Sequence, residues 1–232
     1  MTPLIETRGL SYCYPDGSPA LNGISLKLRP GERLALIGAN GSGKSTLLML
    51  ISGCFEPKEG EILLKGETVR GLKTLRGVSG MVFQDPDDQL FMPSVLEDVA
   101  FGLTARDVGE EQARAKALLS LEALGASGLS SRSPHRMSGG EKRIAALAGI
   151  LVMQPEIILL DEPTSSLDPK ARREAIKILN GISGAMMLAT HDFELARRVC
   201  GRVAVLQNGC VEAEGAPDEI LKDERSLARY GL

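Results

Sequence analysis

The stretch "GANGSGKSTLL", Gly38–Leu48, decides the fold of this chain. It follows the apolar run "RLALI" and opens a segment with helical character that extends to Cys54. Four residues fill the pattern G-x-x-x-x-G-K-[ST]: Gly38, Gly43, Lys44 and Ser45. In this pattern successive backbone N–H groups form a concave anion site, which the positive end of the following helix reinforces. A chance glycine-rich turn is the alternative, but the strand before it and the helix after it favour a nucleotide-binding loop.

The loop assigns roles to particular residues. We expect Lys44 to reach the β- and γ-phosphates and the Ser45 hydroxyl to bind Mg²⁺. The other nucleotide contacts are expected from the rest of the loop: Gly38, Asn40, Gly41, Ser42, Gly43 and Thr46. Many unrelated proteins bind ATP or GTP in this way, so the loop indicates a ligand and leaves the function open.

Composition narrows the class of protein. The 232 residues suffice for one sizeable core, and 43% apolar with 25% charged residues is ordinary for a globular protein. The net charge of −3 gives no basic field that would attract nucleic acid. The longest apolar run, Ile144–Met153, suits a buried helix and is too short to span a bilayer. The N-terminal residues "MTPLIETRG" lack the basic-then-apolar pattern of a secretion signal, and the four scattered cysteines suggest neither a zinc site nor a disulfide framework. We therefore expect a cytosolic chain without direct membrane insertion or a nucleic-acid partner.

Strand-like and helix-like segments alternate along most of the chain. Strands are expected before the loop, at residues 4–14, 23–28 and 33–38, with residues 15–22 as a turn, and after it at 60–67 and 78–84. Two helical segments without an intervening strand follow at residues 94–103 and 110–124. Alternation then resumes with strands at 156–162, 185–192 and 202–207 and helices after Pro169 and from Phe193. This order predicts a parallel sheet with crossover helices and a short helical insertion.

A second segment that carries candidate functional residues is "IILLDEP", Ile157–Pro163. Its four apolar residues predict a buried strand, at whose end Asp161 is placed to hold Mg²⁺ across from Ser45. Glu162 would point toward the γ-phosphate, where a base orients or deprotonates water. Two acidic residues that merely cap a strand are the alternative. The adjacent glutamate favours an ATP hydrolase over a GTPase or a kinase.

The third segment, "MSGGEKRIAALAGIL", begins at Met137. Ser138 is a natural helix N-cap, and Gly139 and Gly140 allow the backbone to approach a ligand closely. Because the first loop already surrounds the phosphates of one nucleotide, we expect this helix start to contact the γ-phosphate of a nucleotide held by another subunit. Taken alone, the segment could equally be the capped start of an ordinary helix that binds no ligand. Its position about 20 residues before the acidic strand favours the functional interpretation.

These segments together resemble a known family. "MSGGEKR…LLDEPTSSLD" is similar to the signature, Walker B and D-loop of ATP-binding-cassette (ABC) ATPases, and the match follows the family order along essentially the whole chain. The resemblance implies the P-loop NTPase ABC ATPase fold: a RecA-like, mostly parallel α/β core with helices on both faces, an N-terminal antiparallel β subdomain and a helical lobe. It implies one domain, with core at about 1–84 and 151–232 and the lobe at about 85–150.

The resemblance also assigns residues. It implies that Gln84 is the Q-loop glutamine, which senses the nucleotide and is a ligand of Mg²⁺ with Ser45 and Asp161, and that His191 is the switch histidine. The D-loop is Ser165–Asp168, with Ser166 and Asp168 as its contact residues, and Ser138, Gly139, Gly140 and Glu141 form the signature that acts in trans. With Glu162, Gln84 and His191 form the implied catalytic set.

Three shorter stretches narrow the resemblance. "SYCYPDGSPAL", "VFQDPDDQLF" and "EDVAFGL" resemble the ATPases of energy-coupling-factor importers, particularly the cobalt and nickel branch. The implied protein hydrolyses ATP on the cytoplasmic face of the cell membrane, paired with itself or a paralogue, and drives integral membrane subunits. Alternatives are another importer, for vitamins or amino acids, a non-transport ABC ATPase in DNA maintenance, and a module that binds ATP without useful turnover.

Each transferred residue has a simpler alternative. Alone, Gln84 would be a solvated turn and His191 a helix cap, whereas His135 is expected to be structural. We expect Tyr14 to stack on adenine, a contact worth roughly 1–3 kcal/mol by analogy with base–aromatic stacking. Tyr12 is its competitor, and we place it on the opposite face of the strand.

The signature departs from the family pattern at two positions. Met137 stands where leucine is usual, which preserves apolar volume. Glu141 stands where glutamine is common, so we expect an added charge near the partner's nucleotide.

Overall fold

A computed structural model describes residues 2–222 and residue 228 of the chain. The strands are β1 (Ile5–Cys13), β2 (Pro19–Ile24), β3 (Lys27–Leu28), β4 (Arg33–Ile37), β5 (Glu59–Leu64), β6 (Glu67–Thr68), β7 (Ser79–Val82), β8 (Ile157–Asp161), β9 (Ala185–Thr190), β10 (Arg202–Gln207) and β11 (Cys210–Gly215). The α-helices are α1 (Lys44–Ile51), α2 (Leu72–Val78), α3 (Val95–Thr104), α4 (Glu110–Ala123), α5 (Gly139–Leu151), α6 (Pro169–Gly181), α7 (Phe193–Val199) and α8 (Pro217–Ile220).

Contacts divide the chain into two compact units. The first contains the residues up to Ser79, Glu156–Glu162 and the residues from Ile182 onward. The second contains Gly80–Pro155 and Pro163–Gly181. The segment that follows Glu162, including α6, therefore packs with the helices of the second unit. The boundaries that the sequence predicts for the lobe stay a prediction.

The main sheet of the first unit carries the acidic strand and the strand before the glycine loop. Its strands run in the order β11-β10-β4-β9-β8, and all neighbours are parallel except β10 and β11. Every residue of β8 and β9 is buried, as parallel strands covered on both faces require. In the register, Ile37 aligns with Thr190 and Asp161 with Ala189. The carboxyl ends of β4, β8 and β9 thus meet at one edge, as predicted.

A second, antiparallel sheet lies in the N-terminal third of the chain. It runs in the order β2-β1-β5-β6, and β3 pairs with β1. β1 and β5 hold the longest register, from Ile5 opposite Leu64 to Ser11 opposite Glu59. This sheet is the N-terminal antiparallel β subdomain that the resemblance implies.

The second unit is predominantly helical. α3, α4 and α5 pack on one another, and α4 buries Ala113, Ala117 and Leu121, which recur at helical spacing. Gly102 of α3 allows a close approach of Met153, whose sulfur would lie 2.5 Å from an added Cβ. Within the part of the chain that the structure describes, no helix is long and apolar enough to cross a membrane.

Two predicted local structures differ from the observed ones, and two observed elements, α2 and β11, were not predicted. Residues 19–22 belong to β2, although their sequence favours a turn, because they pair with β1 across an irregular register. The expected strand at 60–67 is a hairpin, because Lys65 and Gly66 adopt positive φ angles of 53° and 89°. The sequence does not predict α2, since Leu75 is its only buried residue. It does not predict β11 either, because the alternation of apolar residues in that strand is weak.

Candidate nucleotide-binding site

The glycine loop joins the end of β4 to the start of α1, as the sequence pattern requires. An added Cβ on Gly38 would lie 2.2 Å from the carbonyl oxygen of Leu206, so no side chain fits there. Gly43 has φ 103°, and an added Cβ would lie 2.5 Å from Leu21. Both glycines are therefore needed for the loop to pack against its neighbours.

The turn at residues 208–209 supports the glycine loop through hydrogen bonds, and the sequence does not predict this contact. The backbone N–H of Gly209 donates to the carbonyl oxygen of Ser42 at 3.2 Å, and the backbone N–H of Asn22 donates to the carbonyl oxygen of Gly209 at 2.8 Å. The hydroxyl of Ser42 is buried and has no hydrogen-bond partner among the described residues. The "NG" pair at 208–209 signals a turn, but nothing in the sequence indicates that this turn supports the loop.

Lys44 begins α1 and is buried within the site. Its Nζ donates to the carbonyl oxygens of Gly38, at 2.7 Å, and Ala39, at 3.1 Å. Burial lowers the pKa of Lys44, and the nearby carboxylates of Glu162 and Asp161 oppose that shift. The ammonium is thus held across the mouth of the loop, where it is available to an anion that the loop binds.

The acidic pair lies at the carboxyl end of β8. Asp161 and Glu162 are 4% and 6% exposed, which is rare for carboxylates outside a functional site. Glu162 has φ 47°, a left-handed conformation that is uncommon for a residue with a side chain. The strand end and this backbone turn aim both carboxylates at the edge where the glycine loop begins.

The donor set around Asp161 fits a hard divalent cation. A hydrogen bond joins its carboxylate to Ser45, and its Oδ1 is buried without a partner among the described residues. Burial raises the pKa of Asp161, while the Ser45 hydroxyl and the Lys44 ammonium act in the opposite direction. An orphaned carboxylate oxygen next to a hydroxyl is the arrangement that a Mg²⁺ ion would satisfy.

Glu162 is oriented through both of its carboxylate oxygens. Oε1 lies 2.9 Å from Nδ1 of His191, and Oε2 accepts from the hydroxyl of Thr190 at 3.3 Å. The backbone N–H of Glu162 also donates to Ala189 at 2.9 Å. The His191 ring itself is 65% exposed, so it has one side toward Glu162 and the other toward solvent. Thr190 is a positioning residue that the sequence reasoning missed, although its place directly before His191 is visible in the sequence.

Tyr14 and Thr46 meet at the other end of the loop. The Tyr14 hydroxyl lies 2.8 Å from the Thr46 hydroxyl, and the tyrosine is 38% exposed, as a stacking platform must be. Tyr12 is only 8% exposed and stacks on Phe55 at 5.3 Å. The placement of Tyr12 on the opposite face of the strand was wrong: its ring lies 5.4 Å from that of Tyr14, because residues two apart in a strand share a face.

The signature segment lies in the second unit, and its helix start has the predicted cap. The Ser138 hydroxyl accepts from the backbone N–H of Glu141 at 3.3 Å, and the Glu141 carboxylate accepts from the Ser138 N–H at 2.8 Å, a reciprocal capping box. The same carboxylate forms a 2.6 Å ion pair with Arg132. These donors hold the pKa of Glu141 below its usual range. The charge of Glu141 is therefore already engaged within its own subunit.

The remaining predicted residues also lie in the second unit. Gln84 is exposed and follows β7. Ser166 has φ 60°, and the Asp168 carboxylate accepts from the N–H groups of Lys170 and Ala171, which caps α6. His135 lies exposed in a short 3₁₀ turn. In each unit the structure thus brings together its own part of the predicted set: the glycine loop, Asp161, Glu162 and His191 in the first, and the signature, Gln84 and the D-loop residues in the second.

Replacing Asp161 by asparagine is expected to stabilise the free protein and to weaken its binding of Mg²⁺ and ATP. Because burial raises the pKa of Asp161, its contribution to stability is present at low pH and lost as pH rises through that raised pKa. At pH 7.5 the charged side chain is destabilising, so Asp161→Asn should raise the melting temperature by about 3 °C, for a gain of about 1 kcal/mol. Differential scanning calorimetry with and without Mg²⁺ and ATP measures both effects.

Asp218→Asn is the matched control, because the Asp218 carboxylate is 95% exposed. Its melting temperature and its response to Mg²⁺ and ATP should equal those of the unmodified protein. The difference in melting temperature between Asp161→Asn and the unmodified protein should shrink as the pH falls through the raised pKa of Asp161. Two results would contradict the assignment of Asp161 as a Mg²⁺ ligand. They are a lower melting temperature of Asp161→Asn than of the unmodified protein at pH 7.5, and stabilisation of the variant by Mg²⁺ and ATP as large as that of the unmodified protein.

Comparisons with known proteins agree with this geometry. Residues 21–165 match the family model described as ABC transporter. The chain is 47% identical, over 99% of its length and 76% of the relative's, to the energy-coupling factor transporter ATP-binding protein EcfA of Methanothermobacter thermautotrophicus. It is 42% identical to the cobalt import ATP-binding protein CbiO of Rhodobacter capsulatus, over its whole length and 85% of the relative's.

Solved structures give the same result. The structure of CbiO1 from Clostridium perfringens, part of the ABC transporter complex CbiONQ, superposes with a TM-score of 0.84 at 37% identity, covering 99% of this chain and 94% of that one. The dimeric post-hydrolysis state of the ATP-binding cassette MJ0796, bound to ADP and phosphate, gives a TM-score of 0.82 at 28% identity, covering 92% and 98%.

Proposed function

The chain belongs to the ABC transporter family, and we propose that it is the ATP-hydrolysing subunit of an importer of the energy-coupling-factor type. It has the ABC ATPase fold and is an ATPase. The observation that carries the proposal is the convergence of Lys44, Ser45, Asp161, Glu162 and His191 at one edge of the parallel sheet. The names of its relatives support the importer class and give no support to the alternatives.

Each functional residue of the first unit has a proposed role in binding or hydrolysing ATP. The backbone of the glycine loop and Lys44 would bind the phosphates of ATP, and Tyr14 would stack on the adenine. Ser45 and Asp161 would hold Mg²⁺, which when bound neutralises charge on the β- and γ-phosphates. Glu162 would accept the proton of the attacking water, and His191, held at 2.9 Å from Glu162, would contact the γ-phosphate.

A second subunit would complete the site. Ser138, Gly139, Gly140 and the D-loop residues Ser166 and Asp168 are proposed to contact ATP bound by the partner, so that ATP closes the dimer and hydrolysis reopens it. The dimeric state reported for MJ0796 supports this arrangement. One complete set of motifs is compatible with a homodimer and with a pair of paralogues.

We infer the transported substrate and the place in the cell from the names of the relatives. The name of the Rhodobacter capsulatus protein supports cobalt, and nickel remains the second candidate. The chain would work on the cytoplasmic face of the cell membrane, bound to integral membrane subunits that carry the substrate path.

Uptake by the reconstituted complex tests the proposal. The chain is co-expressed with the membrane subunits from its own genome and placed in liposomes loaded with ATP. We expect accumulation of labelled Co²⁺ that requires ATP and is competed by excess Co²⁺. Parallel assays with Ni²⁺ and with vitamins identify the substrate. Turnover of ATP without transport of any of these would refute the importer assignment and leave the ATPase assignment standing.

A further inference from the structure

The start of α5 contacts two other segments of the second unit at once. Lys142 and Arg143 are consecutive, so their side chains leave the helix about 100° apart. Lys142 forms a 2.5 Å ion pair with Asp87, and Nη2 of Arg143 donates to the hydroxyl of Ser165 at 2.8 Å. Asp87 lies three residues after Gln84, and Ser165 is the first D-loop residue. The two cations therefore contact two different segments of the second unit.

The segment after Gln84 is attached to α5 at a second point. The Gln89 amide donates to the carbonyl oxygen of Ala146 at 3.3 Å, and its oxygen accepts from the backbone N–H of Phe83 at 3.3 Å. Ala146 lies one helical turn beyond Lys142, so residues 83–89 follow one face of α5. Gln84 is thus bracketed by Phe83 and Asp87, both of which are connected to this helix.

The D-loop is attached to the same helix turn by packing as well as by Arg143. An added Cβ on Gly140 would lie 3.7 Å from both Leu167 and Ala171, so the first turn of α5 packs against the D-loop and α6. Burial lowers the pKa of the Arg143 guanidinium, and Asp85 opposes that shift. Arg143 is therefore hydrogen-bonded to Ser165 and close enough to Asp85, the residue after Gln84, to feel its charge.

We propose that Lys142 and Arg143 are positioning residues that couple the Gln84 segment to the D-loop through the signature helix. The inference rests on the proposed function, in which Gln84, Ser138 and the D-loop act on ATP. Displacement of Gln84 moves residues 83–89 and, through the two cations, the start of α5 and Ser165. Neither cation is among the residues proposed to hold the nucleotide, so removing one should impair turnover while leaving ATP affinity intact.

Arg143→Met and Ser165→Ala, singly and together, test the coupling. We expect each single variant to lower kcat about tenfold with the ATP dissociation constant of the isolated subunit unchanged. The double variant should match Arg143→Met, because both changes remove the same hydrogen bond. Arg70→Met is the control, since Arg70 is exposed and lies in the first unit. Additive losses, or turnover equal to that of the unmodified protein, would overturn the role of Arg143.

The ion pair allows a rescue experiment. Lys142→Glu should lower kcat about tenfold with the melting temperature and the ATP dissociation constant of the isolated subunit unchanged, and adding Asp87→Lys should restore most of the lost kcat, because it re-forms the ion pair with reversed charges. Failure of the charge swap to rescue turnover would overturn the role of Lys142. If the unmodified protein itself lacks ATPase activity, the proposed function fails. Normal activity in all variants refutes only the coupling.

Discussion

Replacing Glu162 by glutamine is expected to lower ATP turnover about 10²–10⁴-fold while leaving ATP binding intact, the range that a positioned general base contributes. The amide keeps the volume of the carboxylate and one oxygen that can still accept from Thr190 or His191. It loses the charge and basicity that the attacking water needs. Because binding persists and hydrolysis stops, the closed dimer should accumulate in Mg²⁺ and ATP.

Phosphate release and size-exclusion chromatography measure the two halves of this result. Glu156→Gln is the matched control, because Glu156 directly precedes the opposite end of β8, is exposed and forms an ion pair only with Lys65 among the described residues. It should hydrolyse ATP at the unmodified rate and remain monomeric or dimeric as the unmodified protein does. Normal phosphate release by Glu162→Gln would remove Glu162 from the catalytic set.

Much of the nucleotide site could be predicted from the sequence because local rules determine it. A glycine pattern between an apolar strand and a helix specifies the loop, and an apolar strand that ends in Asp161 places that carboxylate at the same edge in any parallel sheet. The Ser138 cap follows from the same kind of local rule, since the residues that it contacts lie within one helical turn.

Other features required contacts between distant parts of the chain. The support of the glycine loop by Gly209 joins residues 167 positions apart, and the contact of Arg143 with Ser165 spans 22. The contacts of Glu141 with Arg132 and Ser138 were not predicted, and its expected place near the partner's nucleotide stays a prediction. Such pairings depend on tertiary packing, which a single sequence does not reveal. The wrong placement of Tyr12, in contrast, could have been avoided from the sequence. The two-residue period of a strand predicts that Tyr12 shares a face with Tyr14.

Replacing Ser138 by arginine is expected to abolish hydrolysis by the dimer while the isolated subunit still binds ATP. The added side chain would occupy the space that the proposed closed dimer gives to the γ-phosphate of the partner's nucleotide. Loss of the N-cap also destabilises α5, by about 0.5–2 kcal/mol for such substitutions. Ser138→Ala separates the two effects, because alanine loses the cap and adds no bulk. It should hydrolyse ATP faster than Ser138→Arg at similar stability.

Mixing two inactive variants decides whether the site is completed in trans. In a dimer of one Lys44→Ala subunit and one Ser138→Arg subunit, one composite site carries both defects and the other carries neither. Phosphate release should therefore return when the two inactive proteins are mixed, up to about half of the unmodified rate for each mixed dimer if its two sites act independently. If each subunit instead used its own Ser138, every site in the mixture would carry one defect and no activity would return. Recovery on mixing would thus establish that the loop at Gly38–Thr46 and the signature at Ser138 act on one ATP from two different subunits.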